Sequence, residues 1–228
     1  MPTASCRRCG YFFRLDYTNQ STKLPTVSRE GGTKSRLLNT AIDLVWENSY
    51  GAVSVDDICQ RAGVNKGSFY YAFKSKSDLA IAALERYWDY KRATFDQIFS
   101  PLQAPLTRIE NYCDAVVSDQ LEKHAKTGKF CGCPFCSLAS ELGTQDESIR
   151  RKAEEMSERK VRYLESAIRE AIAQGDIAER PAHETARTIY CFVIGMILQA
   201  KIENSARPFE GMKPGVLRLL GVEEAVAS

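Results

Sequence analysis

Between Ser54 and Lys76 the sequence runs SVDDICQRAGVNKGSFYYAFKSK. Val55, Ile58, Cys59 and Ala62 share one face of a short helix, Ser54 offers an N-cap hydroxyl, and Gly63 ends the helix because glycine takes a left-handed backbone without strain. After the turn Gly63-Val64-Asn65 a second short helix starts near Lys66. It buries Phe69 and Phe73 at i and i+4 and leaves Lys66, Ser68, Tyr70, Tyr71 and Lys74 on its other faces. Two short helices about such a turn make a helix-turn-helix. By spacing alone, a surface αα-corner carrying solvated lysines fits as well. The chemistry of the exposed set favours a reader of DNA, because hydroxyls, a helix N-terminus and ammonium groups are what reach phosphates and base edges in a major groove.

The flanking sequence is helical throughout. Upstream, Leu37, Leu38, Ala41, Leu44 and Val45 form the apolar stripe of a helix from about Thr33 to Asn48, on which the two short helices pack. Downstream, Ser75 caps a long helix from Lys76 to about Phe99, with Leu79, Ala83, Tyr87, Tyr90 and Phe95 at helical spacing, until Pro101 and Pro105 break it. A helix from about Leu106 to Lys126 should bury Ile109, Cys113, Val116, Val117 and Leu121, and Gly128 ends it. Pro134 fits the first turn of a short helix inside Phe130 to Leu142. Ser148 to Gln174 is amphipathic and closes at Gly175. Ala182 to about Ser205 is apolar nearly all round from Ile189 to Leu198, so it must be covered on all sides, which predicts a subunit interface as well as a core. A last helix is expected near Pro214 to Leu220, with residues 223–228 frayed. The fold class is all-α.

From Thr33 to Glu85 the chain resembles the DNA-binding domain of the TetR (tetracycline-repressor) family of bacterial transcription regulators. The resemblance is carried by Arg36-Leu37-Leu38, Ala41 and Leu44, by Tyr50-Gly51, Ser54-Val55 and Asp57-Ile58, and by Ala62-Gly63-Val64. It continues through Lys66-Gly67-Ser68-Phe69-Tyr70-Tyr71, Phe73-Lys74-Ser75-Lys76 and Leu79. One departure is Ala72, where the family often carries a histidine after the paired aromatics. Weaker likenesses to the family's second domain are Gly132 to Leu138 and Gly195 to Lys201. Beyond a basic arm over residues 1–32, the resemblance implies a helix-turn-helix domain over 33–78 and an effector-binding and dimerisation domain over 79–228. The arm itself is read from composition: residues 1–32 hold Pro2, Pro25, Gly10, Gly31 and Gly32 among polar residues, which predicts a flexible segment. The resemblance implies a homodimer on a near-palindromic, double-stranded operator, acting as a repressor that a small-molecule effector releases. Joined to residue chemistry, it implies that Ser68, Tyr70 and Tyr71 approach bases or the nearby backbone. Lys66, beside Gly67, would read bases or phosphate at the helix start, and Ser54, Lys74 and Lys76 would hold phosphates.

Composition narrows the class. The chain has 228 residues, of which 44% are hydrophobic, enough for a sizeable core, and a net charge of only +2. The charge is uneven: residues 1–36 carry seven Lys or Arg against two acidic residues, a basic end beside the DNA-reading element. The longest uncharged apolar run, Thr188 to Ala200, is shorter than a bilayer-spanning helix, and no apolar segment opens the chain, so a cytoplasmic protein without a membrane partner is expected. Eight cysteines call for an explanation, since stable disulfides are unusual in that compartment. Cys6 and Cys9 have the spacing of half a zinc knuckle, but no second half follows nearby, and no metal or cofactor site is expected.

Trp88, Phe95, Tyr112, Phe130, Phe135, Tyr163, Tyr190 and Met196 exceed what a plain bundle needs and are the candidate lining of an effector pocket. Cys131, Cys133 and Cys136 lie within six residues; as small apolar side chains they can simply line a pocket or interface, while a helix start at Pro134 would stabilise a thiolate at Cys133 or Cys136. They make a thiol-based sensor of oxidants or electrophiles the alternative to a reversible ligand. An enzyme is not expected, because only His124 and His183 are available as bases near neutral pH and neither sits in a motif with a nucleophile.

Overall fold

The computed structural model describes residues 32–47 and 49–222, with the backbone alone for 45–47; residues 1–31 of the basic arm, with Cys6 and Cys9, and residues 223–228 lie outside them. No strand occurs among the described residues. The helices are α1 (Thr33–Glu47), α2 (Val55–Ala62), α3 (Lys66–Ala72), α4 (Lys76–Ile98), α5 (Pro105–Thr127), α6 (Pro134–Leu142), α7 (Glu147–Gln174), α8 (Ala182–Glu203) and α9 (Met212–Leu219), with a 3-10 turn Arg207–Gly211 before α9.

Local chemistry sets the ends. Ser54 and Asp57 form a reciprocal capping box on α2, with Asp57 N donating to Ser54 Oγ at 3.1 Å and Ser54 N donating to Asp57 Oδ2 at 2.8 Å. Gly63 closes α2 at φ 63°, a left-handed conformation that a Cβ would strain. Asn65 caps α3 through Ser68 N at 2.7 Å, and Ser75 caps α4 through Asp78 N at 3.0 Å.

The core forms two clusters. The first joins α1 to α4 with Phe135 and Leu138 of α6 and Ile149 and Met156 of α7. The second joins α5, the later part of α7, α8, the 3-10 turn and α9, with Ile98 and Phe99 at the end of α4. Phe95, Cys133 and Tyr163 pack against both. The packing of the N-terminal helices therefore does not close at residue 78 but continues into α6 and α7.

Several burial expectations need correction. On α5 Leu121 is exposed, while Gln120 and Arg108 are buried in its place. Arg108 tolerates burial because its guanidinium donates to both carboxylate oxygens of Glu170, at 2.6 and 3.0 Å, and to Gln103 O at 2.7 Å. Tyr90 and Phe95 of α4 are only half-buried. On α8 the inner face of Ala186, Ile189, Val193, Ile197 and Ala200 is buried, whereas Cys191, Leu198 and Ile202 are exposed. By length and composition α8 could cross a membrane, but its inner face belongs to the second core cluster.

Candidate nucleic-acid interface and cavity

Phe69 and Phe73 anchor α3 in the first cluster, as their spacing predicts. The same registration turns Tyr70 and Tyr71 outward, 53% and 96% exposed, with Lys66, Gly67 and Lys74 also exposed and Ser68 half-buried. Lys66 Nζ rests 2.9 Å from Asp56 in a solvent-exposed pair, which salt screens and which is readily broken.

Two of the eight expected DNA-contacting residues are otherwise engaged. The Ser54 hydroxyl is committed to the cap of α2 and to Asp57 Oδ2 at 2.6 Å. Lys76 turns inward: its ammonium donates to Tyr50 O at 2.8 Å and Val53 O at 2.7 Å and stands 3.8 Å over the Tyr50 ring. It fastens the loop that enters α2. Sequence reasoning also passed over a role for Arg36, whose Nη1 donates to Gly63 O at 3.2 Å and ties α1 to the turn of the helix-turn-helix.

A cavity of about 100 Å³ lies between α4, α5, α6, α7 and α8. Five of the eight expected pocket residues line it: Trp88, Phe95, Tyr112, Phe135 and Tyr190. The other three do not. Phe130 stacks on His124 at 4.4 Å and meets Phe209 edge-on. Tyr163 packs on Trp88, Phe95 and Phe99 and donates its hydroxyl to Asp96. Met196 lies by Gly211.

What sequence reasoning missed is the polar wall. Lys91 and Lys123 each reach an oxygen of Asp119 at 2.6 Å, and Lys160 faces the cavity from α7. Burial acts to raise the Asp119 carboxyl, but the Lys123 and Lys91 ammonium groups outweigh it and hold it below the usual carboxylate value. The only local signal was the i,i+4 spacing of Asp119 and Lys123. Gln120, 3% exposed, leaves its Oε1 without a hydrogen bond on this wall.

The three clustered thiols separate. Cys131 is buried, with its sulfur near Lys129 O at 3.7 Å and Thr127 Oγ1 at 3.9 Å. Cys133 is the N-cap residue of α6 and lines the cavity, and Lys160 Nζ lies 3.9 Å from its sulfur. Cys136, one turn on, has its sulfur 3.9 Å from Tyr190 Oη. The Cys136 thiol, the Lys160 ammonium and the open amides of Phe135 and Cys136 together pull the Cys133 thiol well below its ordinary value against the cost of burial. Those amides support charge on the sulfur without closing a cap hydrogen bond. Cys136 is pushed up by its bond to Cys133 and by burial. The two histidines have other occupations: His124 stacks on Phe130, and His183 Nδ1 lies 2.9 Å from Glu165 Oε2.

Helix α6 connects the two sites. Its first turn carries Cys133 and Cys136; near its end Glu141 accepts the backbone N–H of Tyr50 at 2.9 Å and that of Gly51. That is the same loop that Lys76 holds by its carbonyls.

The chain matches the family model of bacterial regulatory proteins, tetR family, over residues 37–83, and that of the tetracyclin repressor-like C-terminal domain over 105–214. It is 30% identical to the transcriptional regulator AcuR of Cereibacter sphaeroides over 174 residues, 75% of this chain and 78% of that one. It is 25% identical to the HTH-type transcriptional repressor NemR of Escherichia coli K12 over 183 residues, 79% of this chain and 90% of that one. Among solved structures, a regulatory protein TetR from Rhodobacter sphaeroides superposes with a TM-score of 0.73 at 28% identity, covering 82% of this chain and 98% of that one. The reduced form of E. coli NemR superposes with a TM-score of 0.72 at 23% identity, covering 84% and 99%. With both family models matched in order along one all-helical chain, this protein belongs to the TetR family of helix-turn-helix transcriptional regulators.

Proposed function

We propose that the protein is a homodimeric repressor that holds a near-palindromic operator through two copies of α3 and is released when a small molecule occupies the cavity. The observation that carries this reading is α6, which walls the cavity at one end and holds the Tyr50–Gly51 backbone, at the entry to α2, at the other. A ligand that fits only one setting of α6 shifts the population of the setting of α2 and α3 that comes with it. In this reading Tyr70, Tyr71 and Ser68 meet bases or nearby backbone, Lys66 and Lys74 meet phosphates, residues 33–78 read DNA and residues 79–228 sense and dimerise, in the cytoplasm.

A second reading keeps the same route and makes the signal covalent. It is favoured by Cys133, whose sulfur opens onto the cavity beside Lys160.

The test is an electrophoretic shift on the promoter fragment upstream of the gene, with wild type and Tyr70→Ala. Retarded wild type and a variant that retards the fragment weakly while melting normally support the reading. Equal affinity of the two proteins removes α3 as the reading helix.

A further inference from the structure

Two thiols share the first turn of α6: Cys133 as its N-cap residue and Cys136 three residues on, with Pro134 at the first helical position. Cys133 is half-buried and faces the cavity, and it touches both core clusters. Lys160 has no carboxylate partner among the described residues; its Nζ meets the Cys133 sulfur at 3.9 Å and stands 4.4 Å over the Phe135 ring. Cys136 lies behind, against the Tyr190 hydroxyl, which in turn is 3.2 Å from Ser157 Oγ.

We propose that Cys133 and Cys136 are a redox pair for hydroperoxides, in which Cys133 attacks, Cys136 resolves, and the resulting disulfide resets the start of α6 and weakens the hold on DNA. The proposal rests on the covalent reading above and assigns its atoms and its oxidant. Cys131 has no part in it, since its sulfur is turned toward Thr127 and Lys129.

The chemistry closes without another reactant. The Cys133 thiolate attacks the distal peroxide oxygen; an S–O bond forms, the O–O bond breaks, and sulfur loses the two electrons that the peroxide gains. The departing alkoxide takes a proton from the Lys160 ammonium, whose Nζ lies 3.9 Å from the Cys133 sulfur, and leaves as an alcohol. Cys136, giving up its proton, then attacks the sulfenic sulfur; the S–S bond forms, the S–O bond breaks, and hydroxide leaves with that proton as water. Two thiols and one hydroperoxide thus give a disulfide, an alcohol and water. A cavity of about 100 Å³ admits hydrogen peroxide or a short alkyl hydroperoxide but not a bulky peptide disulfide.

The product differs from the dithiol in two ways that α6 must accommodate. The sulfurs approach to about 2.0 Å, drawing the N-cap residue onto the first turn. Lys160 also loses the charge of its one polar partner, and an unpaired, partly buried ammonium is costly to keep in place.

The full chain with Cys131→Ser is treated, after reduction, with stoichiometric hydrogen peroxide or tert-butyl hydroperoxide and followed by intact mass and by promoter shift. The expected result is a loss of about 2 Da, located in the peptide of residues 130–150, together with release of DNA that dithiothreitol reverses. Cys136→Ser should stop at a Cys133 sulfenic acid that dimedone traps. Cys133→Ser, which places a hydroxyl suited to the N-cap position, should fold and react at least about tenfold more slowly. Lys160→Met should move the pH dependence of the reaction upward, and below the thiol's pKa the rate should drop about threefold for each unit of upward shift, because the thiolate fraction falls faster than its nucleophilicity rises.

No mass loss, or dimedone capture elsewhere than Cys133, overturns the pair. A Cys133–Cys136 disulfide that leaves promoter binding unchanged overturns its role in control. Failure of the reduced protein to bind promoter overturns instead the DNA reading, a separate result, since the mass change is scored without DNA.

Discussion

Tyr71 and Lys76 lie five residues apart and face opposite ways, one 96% exposed and the other bonded to the Tyr50 and Val53 carbonyls. Tyr71→Ala should therefore weaken promoter binding by about 1–2 kcal/mol, the range of a lost base or backbone contact, and leave thermal unfolding where it was. Lys76→Ala should act differently. It strips two carbonyls of a charged donor, at a cost of about 1–3 kcal/mol, so the melting temperature should fall by several degrees with affinity following indirectly. If instead Lys76→Ala melts like wild type and lowers the salt slope of binding by about one unit, its ammonium neutralises a phosphate, as the sequence reading held. The difference between these residues shows what is legible locally. Ser54 as a cap, Gly63 as a stop and Phe69 with Phe73 as an anchor follow from spacing along a single helix. The direction of Lys76 depends on a loop more than 20 residues away, which no local pattern encodes.

Helix α6 shows the same limit for elements. Pro134 marked its start, and the three thiols marked it as chemically unusual, yet its partner at the far end is the backbone of Tyr50 and Gly51, some 90 residues earlier in the chain. Nor could periodicity foresee that its residues Phe135 and Leu138 would join the core of α1 to α4. Replacing Glu141 by Ala leaves the cavity and the thiols untouched and removes both acceptors from the loop. Coupling between two sites is a ratio of affinities, so the decisive quantity is promoter affinity with and without oxidant or ligand. In Glu141→Ala that ratio should collapse toward one, while the modification at Cys133 proceeds at the wild-type rate. An undiminished ratio would mean that the signal leaves the cavity by another helix, and α4, which also lines the cavity and begins at Lys76, would be next.

The apolar run of α8 announced a helix covered on all sides, and the folded chain divides that cover among three surroundings. Ile189, Val193 and Ala200 enter the second core cluster; Tyr190 and Ile197 belong to it as well and, with Ile194, line the cavity; Cys191, Leu198 and Ile202 face out. Sequence gave no means of assigning the faces, because every one is apolar. The outward face is incomplete in a single chain, with Leu198 54% and Ile202 68% exposed and open space above Gly195 into which a second helix can settle. A two-fold arrangement would present the same residues from both copies and place two α3 helices for paired half-sites. A charge at Ile194 would disturb the cavity along with any interface, so the discriminating position is Leu198. Leu198→Asp should elute as a monomer on a sizing column with its helical circular dichroism intact. Promoter affinity should fall by far more than the factor of about ten that 1.4 kcal/mol represents, since each half-site is then bound alone and the advantage of linkage is lost. A variant that still elutes with wild type and binds DNA as tightly would move the dimer seam away from α8. The exposed stripe of Leu198 and Ile202 would then require a different partner.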